Sequence, residues 1–392
     1  MQEVVIVSAA RTPFGRFGGG LLPLTAPDLG GIAISGAVER AGLLPEQIEY
    51  VYMGQVLQGG SGQIPSRQAT IKAGLPWEVP SITVNKVCSS GLISVALAAR
   101  SIALGEIETA VAGGMESMSN APYFSPSARW GQRMGDGKMV DLMIHDGLWC
   151  SFYNRHMAVH GSEVAKEYGI SREAQDQWAL RSQILAVNAI ESGKLMDEIV
   201  PVEVTNKKKH ILVDTDEGPR KDTSMETLAS LPPVFTKDGS VTAGNAPSVN
   251  DGSGALVLMS KKKAMELGIK PLAVVMGHAE VSQEAKYIAT VPGLATNKLL
   301  NKMGMKIGNV DLIEANEAFA AVALVSGQIT GWNPDIVNVN GGAIAFGHPI
   351  GASGARIIMT LLHELKRRGG GIGVATICSG AAQGDAMMFK VE

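Results

Sequence analysis

Val84-Asn85-Lys86-Val87-Cys88-Ser89-Ser90-Gly91 is the stretch whose reading decides the fold. The β-leaning run Ser81 to Val84 leads into a cysteine, and Ser-Ser-Gly follows it. Behind them Leu92, Val95, Ala96, Ala99, Ile102 and Ala103 recur at i, i+3, i+4 and i+7. That spacing predicts a helix buried on one face, and Gly105 supplies its stop. Cys88 therefore stands on a turn that opens a helix. Unpaired N–H groups and the positive dipole end gather there, and both favour thiolate over thiol. A free cysteine is more often a small buried hydrophobe, so its partners must decide.

Working outward, Thr109 to Gly113 is a further strand, and Val4 to Ser8 and Val51 to Val56 are strands upstream. Asp28 to Gly42 is a helix, with Asp28 as N-cap and Gly42 as stop. Gln58 to Gln63 is a glycine-rich turn and not a phosphate loop, because no Gly-Lys-Ser/Thr follows. Strands alternating with helices predict an α/β sheet covered on both faces. The texture changes near Ser117. From Met118 to Val249 the chain is rich in Met, Pro, aromatic and charged residues, and the alternation is lost. Within it Ser171 to Ser192 is a helix, and Arg129-Trp130 and Leu148-Trp149 look exposed. Lys207-Lys208-Lys209-His210 reads as a solvated loop or hairpin turn, with an anion contact as the alternative.

The strand pattern resumes at Ala255 to Ser260, Leu272 to Val281 and Asp311 to Glu314, with a helix from Glu317 to Ile329. Ile336 to Asn340 leads into Gly341-Gly342 and a helix from Ser353 to Arg368, and strands Gly371 to Ile377 and Ala386 to Val391 close the chain. The two halves echo each other. Val84-Asn85 and Asn338-Val339-Asn340 each precede a turn, a helix and a strand, which points to a duplicated unit. The boundaries that follow are 1–117 with 249–269, an insert at 118–248, and 270–392.

Composition limits the class. The chain has 392 residues, 45% hydrophobic and 18% charged, enough for a sizeable core in two or three domains. A net charge of −3 gives no general attraction to nucleic acid or anionic lipid. Three cysteines, at 88, 150 and 378, lie too far apart for a metal or redox pair, and their sparseness suits a reducing compartment. Met1 to Ala10 lacks the basic start of a secretory leader, and no apolar run is read as long enough to span a membrane. The expectation is a cytoplasmic protein with no metal and no cofactor.

Polar reactive groups stand in glycine-rich or apolar settings at four places: Cys88-Ser89-Ser90-Gly91, Asn316-Glu317-Ala318-Phe319, Gly347-His348-Pro349 and Cys378-Ser379-Gly380. A lone histidine is more often structural. At His348, however, Pro349 fixes the backbone while glycines thin the walls, which suits a side chain presented to a ligand. Cys378 ends a strand and faces a turn whose amides could bind an oxyanion.

At these residues the sequence resembles the thiolase family, nearly end to end. The matching stretches are Asn-Lys-Val-Cys-x-Ser-Gly at 85–91, Asn-Glu-Ala-Phe-Ala-Ala at 316–321 and Asn-x-Asn-Gly-Gly-Ala-Ile-Ala at 338–345. Gly-His-Pro-Ile-Gly-Ala-Ser-Gly-Ala-Arg at 347–356 and the Cys378 turn complete them. The resemblance implies an α/β fold with a five-layered αβαβα core of two similar halves and an inserted loop domain. It implies that Cys88 takes an acyl group from an acyl-CoA and that His348 accepts its proton. Cys378 would protonate the departing CoA thiolate and then remove the α-proton of a second acyl-CoA. His348 and a water held by Asn316 would stabilise the enolate, and the N–H groups of Cys88 and Gly380 the other oxyanion. Coenzyme A contacts carried over are Arg220 near the adenine, Ser248 near the pantetheine, His156 and Met157 beside the acyl group, and Phe319 on the channel. For Arg220 a solvated surface role stays open beside binding.

The activity so implied is the reversible Claisen condensation of two acetyl-CoA to acetoacetyl-CoA and CoA. Broad-chain 3-ketoacyl-CoA thiolysis in fatty-acid degradation is the near alternative. A catalytically silent lipid carrier or scaffold is the alternative of another class, and the four reactive residues argue against it. A ketosynthase relative would pair its cysteine with two histidines, where this chain has Cys378. The resemblance also implies a homotetramer built from dimers, with Tyr123 to Met143 a candidate for joining them. Two departures stand out. The family usually continues Cys-x-Gly-Gly-Gly, whereas here Ala381 and Ala382 follow Gly380 and are expected to need ordinary backbone angles. Ala289-Thr290-Val291-Pro292 stands where Gly-Thr-Gly-Pro is usual, and Ile288 where Met is common. Met157, Ile288, Phe319 and Phe346 are expected to leave little room beyond an acetyl or acetoacetyl group.

Overall fold

The computed structural model describes residues 2–206 and 209–392, so Lys207 and Lys208 of the basic run lie outside the described residues. In the first half β1 is Val4–Arg11, α1 Ala26–Ala41, β2 Tyr50–Gly54, α2 Pro65–Lys72, β3 Ser81–Val84, α3 Ser90–Leu104 and β4 Thr109–Ser117. Helices α4 (Met157–Glu167) and α5 (Arg172–Glu191) follow, then β5 (Asn250–Ser260). The second half has β6 Ala273–Ser282, α6 Val291–Met303, β7 Leu312–Ala315, α7 Ala320–Thr330, α8 Ser353–Arg367, β8 Gly371–Ser379 and β9 Gln383–Val391.

The strand order shows the duplication. The first half runs β3-β2-β4-β5-β1 and the second β7-β8-β9-β6, and β1 meets β6 where the two edges touch. The second half lacks a regular counterpart of β3. Ile336 to Asn340 does not form a strand; Pro334–Ile336 is a 3₁₀ turn, and a single parallel bridge, Ile313 to Val337, marks the corresponding position. The reason is local: Asn338 is left-handed at φ 48°, and Gly341 follows at φ 87°.

Burial along β1 shows why the layers form. Val4 and Ile6 belong to the central core, Val5 and Val7 to an outer one, as alternation across a strand requires. The central core joins Leu92 and Val95 of α3 to Ile358 and Leu361 of α8, between the inner faces of both sheets. Truncating a side chain such as Leu92 there to Ala would cost about 2–5 kcal/mol. Helix α1 covers the outer face of the first sheet, and α6 with α7 that of the second. The result is α, β, α, β, α.

Several local expectations change. The N-cap of α1 is Thr25, and Asp28 is its capping-box partner at the third helical position, bonding back to the Thr25 N–H at 2.9 Å. Strand β4 runs on to Ser117 because it pairs with β5 along its whole length. Helix α7 begins at Ala320, since Asn316 to Phe319 bend through the site first. Ala103 is only half-buried. The window Val87–Leu104 is, contrary to expectation, long and apolar enough to cross a membrane; it is 67% buried and forms the central α3.

Between β4 and β5 the described residues form three antiparallel strand pairs, Tyr123–Phe124 with Val140–Asp141, Trp149–Cys150 with Arg155–His156, and Val202–Asn206 with Lys209–Val213. Trp130 stands 85% exposed and Trp149 37%.

Candidate functional site

Parallel strands β3, β7 and β8 deliver Cys88, Asn316 and Cys378 just beyond or at their C-terminal ends, where ligands bind in open α/β sheets. Helices α3 and α8 then cross with their openings in backbone contact. A Cβ on Gly354 would lie 2.2 Å from the Leu92 nitrogen, and one on Gly91 2.8 Å from the Ala355 nitrogen. Only glycine permits that approach. It brings the Cys88 turn against the turn that carries His348.

Cys88 and His348 line one cavity of about 230 Å³, together with Met157, Ile288, Phe319 and Ser248. Its other walls are mostly apolar, including Met118, Leu148, Phe235 and Ile350. Cys378 lies wholly buried behind it, in an apolar cluster with Met157, Ile288 and Phe319. Phe346, expected on the wall, is instead packed with Phe14, Ala186 and Ala352 in another cluster. Side-chain volume alone could not show which face that short turn presents.

Burial dominates the electrostatics. It pushes the Cys88 thiol up to about 12, against the pull of its own N–H and that of Gly380, with Glu116 raising it further. It pushes His348 down to about 3, with the Arg356 charge acting the same way. The expectation that the helix opening favours a thiolate is therefore corrected: desolvation outweighs the local N–H groups, and burial favours a neutral thiol beside a neutral imidazole. Cys378 is likewise raised well above the ordinary thiol range by burial and then by Cys88.

The tautomer of His348 follows from its partner. Its Nδ1 lies 2.6 Å from Ser353 Oγ, and that hydroxyl donates to the Pro349 carbonyl at 3.1 Å. All contacts are met when Nδ1–H donates to Ser353, which leaves the Nε2 lone pair free as a base. Asn316 Nδ2 is 3.5 Å from that Nε2, and Asn316 Oδ1, buried, has no partner among the described residues. The His348 N–H donates to Asn250 Oδ1 at 3.1 Å, which also accepts from Ser248 Oγ at 2.9 Å.

His156 lines the same cavity, and burial pushes it down to about 4. Its Nδ1 accepts the Ala158 N–H at 3.1 Å, and its ring stacks on Phe235 with centroids 3.6 Å apart. Arg220 is exposed on the wall of an adjoining cavity of about 190 Å³ that it shares with Ser248, Asp222 and Thr223. The two cavities have Ala243, Ala246 and Ser248 in common and so adjoin.

Ala381 and Ala382 do not take ordinary angles. They stand at φ 60° and 49°, in the left-handed region, directly after the Gly380 amide that faces Cys88. The turn keeps the shape that glycines would give and carries the strain of two Cβ atoms.

Reading the sequence for reactive groups missed the residues that hold them. Ser353 and Asn250 fix His348. Glu116 accepts the N–H groups of Val56, Leu57 and Gly351 at 3.0, 3.1 and 3.0 Å, tying the loop after β2 to the histidine turn. Glu317 accepts four bonds at zero exposure. The one available signal was a charged residue inside an apolar run, as in Gly-Gly-Met-Glu116 and Ala-Asn-Glu317-Ala.

Comparison with known proteins agrees with this geometry along the whole chain. The family model for the thiolase N-terminal domain matches residues 4–262 and that for the thiolase C-terminal domain residues 269–391. An acetyl-CoA acetyltransferase of Pseudomonas aeruginosa is 51% identical over 388 residues, covering 99% of both chains. One of Cupriavidus necator is 51% identical over 391 residues, covering 100% of both. The crystal structure of the Bacillus anthracis acetyl-CoA acetyltransferase superposes with a TM-score of 0.98 at 41% identity, covering 100% of this chain and 99% of that one. A match of both family models over nearly the whole chain, with full-length relatives at 51% identity and the same fold, makes this chain a member of the thiolase family.

Proposed function

We propose that the protein is an acetyl-CoA C-acetyltransferase, condensing two acetyl-CoA to acetoacetyl-CoA and CoA and catalysing the reverse. The observation that carries this reading is the shared apolar cavity of Cys88 and His348, with the Gly380 N–H on the cysteine sulfur. The names of the full-length relatives give the acyl donor.

Cys88 Sγ attacks the thioester carbonyl as its proton passes to His348 Nε2. Burial raises the thiol and lowers the imidazole, which disfavours an ion pair ahead of attack and favours proton transfer as the sulfur attacks. The N–H groups of Cys88 and Gly380 hold the tetrahedral oxyanion. The C–S bond to CoA breaks, and the CoA thiolate takes the proton of Cys378. Cys378, now a thiolate, removes the α-proton of a second acetyl-CoA, whose enolate oxygen lies against His348 and the Asn316 amide. The enolate carbon bonds to the acetyl carbonyl, and Cys88 leaves and regains its proton from His348. Arg220 and Ser248 contact coenzyme A and His156, Met157 and Phe319 its acyl end, a reading supported by their lining one or other of the two adjoining cavities.

The reading extends to the assembly and the cell. Residues 118–248 act as an insert that carries coenzyme A contacts. The exposed Tyr123, Trp130, Met134 and Met139 join dimers into a homotetramer. The compartment is the cytoplasm, and no cofactor beyond the CoA thioesters is required. Mass in solution tests the assembly, and a stable monomer would remove it.

Mass spectrometry after mixing with acetyl-CoA tests the chemistry. An acetyl adduct is expected on the Cys88 peptide alone and absent in Cys88→Ala; an adduct on Cys378 or Cys150 would reverse the assignment. Cys378→Ala should still acetylate yet fail to exchange the α-protons of acetyl-CoA in deuterated water. Loss of acetoacetyl-CoA enolate absorbance on adding CoA reports turnover, and its absence would favour a silent scaffold.

A further inference from the structure

The reacting groups come from both halves of the chain, Cys88 from the first and His348, Asn316, Cys378 and Gly380 from the second. Their alignment depends on what fastens one half to the other near the sulfur. Lys86, two residues before the nucleophile, is held by the second half at both of its ends. Its ammonium pairs with Glu280 of β6 at 2.7 Å and with Asp385 of β9 at 2.9 Å. Its carbonyl accepts the hydroxyl of Ser379, the residue between Cys378 and Gly380. Ser379 is 1% exposed and Asp385 0%. Asp385 also meets His278 Nε2 at 2.9 Å.

Neither turn joined here is relaxed. Val87 is β-branched and sits at φ 44°, and Ala381 and Ala382 sit at φ 60° and 49°. Such conformations cost about 1–3 kcal/mol each and persist only where the surroundings over-determine them. Within the first half, Ser90 Oγ supplies part of that, accepting the Lys86 N–H at 2.9 Å and donating to the Val87 carbonyl at 2.6 Å. Within the second half, the Ala382 carbonyl accepts the Gln283 N–H at 3.0 Å. Between the two turns, the Ser379 hydroxyl on the Lys86 carbonyl is a direct link beside the Gly380 N–H on the Cys88 sulfur.

We propose that Ser379 and Lys86 form an inter-half clamp that positions the Gly380 N–H on the Cys88 sulfur. They are positioning residues for the acetyl transfer assigned above, and the proposal rests on that reading of Cys88. Ser379 holds by its hydroxyl and Lys86 by its backbone and charge, and neither touches substrate.

Ser379→Ala removes only the hydroxyl. Its comparator is Ser8→Ala, which deletes a buried hydroxyl bond of the same kind, to the Ala37 carbonyl at 2.6 Å, on the opposite side of the first sheet's core. Three readouts separate positioning from packing: kcat and KM for thiolysis, the rate of Cys88 alkylation by iodoacetamide, and the thermal midpoint. For Ser379→Ala we expect kcat to fall about 10- to 100-fold, the range that misplacement on the ångström scale costs. KM should move little, alkylation of Cys88 should slow, and the midpoint should drop no more than in Ser8→Ala. Lys86→Met should slow alkylation too, because it frees the same carbonyl's residue from β6 and β9. Equal kcat and equal alkylation in Ser379→Ala and Ser8→Ala would overturn the clamp. So would a fall in kcat that merely follows the thermal midpoint. If wild-type protein took no acetyl group on Cys88, the catalytic reading would fail, and the alkylation rates would still decide the clamp.

Discussion

Glu317 offers the sharpest test of how the site is held. Its carboxylate is wholly buried and every group around it donates. Oε1 accepts Trp178 Nε1–H and Asn338 Nδ2–H, both at 2.9 Å. Oε2 accepts the Ser182 hydroxyl at 2.8 Å and the Ile344 N–H at 3.1 Å. Glu317→Gln keeps the shape but turns one acceptor oxygen into a donor. The less costly orientation puts the new NH₂ toward Ser182, whose hydroxyl can turn to accept, and leaves the Ile344 N–H unpaired. An orphaned buried donor costs about 1–3 kcal/mol and a lost charge-assisted bond is of similar size, so the substitution should cost about 2–4 kcal/mol. Glu317→Ala should cost catalysis as well, because it frees Asn338, which brackets Ala315 through both its N–H and its carbonyl at 2.8 Å, and Asn316 is the next residue. Urea unfolding of wild type, Glu317→Gln and Glu317→Ala, with thiolysis rates per folded protein, reads both effects. A Gln variant within about 0.5 kcal/mol of wild type would refute the argument, because an all-donor shell cannot tolerate that exchange silently.

Asn316→Ala should lower kcat by about 10²-fold or more with little change in KM, as removal of one oxyanion donor does; a change in KM alone would make Asn316 a CoA contact. Ala381→Gly should raise stability by up to about 1 kcal/mol by urea unfolding, since a left-handed alanine at φ 60° costs about that much relative to glycine; a loss would mean that chain entropy outweighs strain there. His348 falls from an ordinary 6.5 to about 3, so its share of stability is complete above pH 6.5 and is lost as the pH falls from there toward 3. His348→Asn should flatten that part of the pH–stability curve, and an unchanged slope would locate the titration elsewhere. With Met157, Ile288 and Phe319 on the cavity wall, kcat/KM for thiolysis should fall about 10²-fold from acetoacetyl-CoA to 3-ketohexanoyl-CoA; similar values out to 3-ketodecanoyl-CoA would sink the short-chain reading and leave broad-chain degradation standing.

What the sequence showed and what it hid divide along a physical line. The Cys88 turn, the stripe of α3 and the stop at Gly105, left-handed at φ 78°, were legible because each depends on residues within a few positions. The repeat of strand, turn and helix was legible for the same reason. Thr25 and Asp28 compete for one cap, and only the helix's actual first turn decides between them. The rise of Cys88 to about 12 was invisible, since desolvation sums over both sheets while the helix dipole can be read from one. Ser353 orients His348 from five residues on, inside the matched stretch, yet its role needed the Pro349 carbonyl as a second partner. Glu116 and Gly351 meet across 235 positions, a distance over which pattern carries no information.

The duplicated frame also explains why the two turns present different side chains. Both halves open a buried helix beside the same end of a sheet, and glycine backbones bring those openings together. In the first half only residues 85–89 separate β3 from α3, so the cysteine sits at the helix opening with its sulfur against local amides. In the second half residues 338–352 separate the Val337 bridge from α8, with room for the short helix Ala343–Phe346 and the His348 turn. The short connection strains Val87 at φ 44° to present the cysteine. The long one buries His348 and still bonds both its Nδ1 and its backbone N–H. Unequal connection lengths, on strand orders that match except at the edge strand, are what set a cysteine turn against a histidine turn in one cavity.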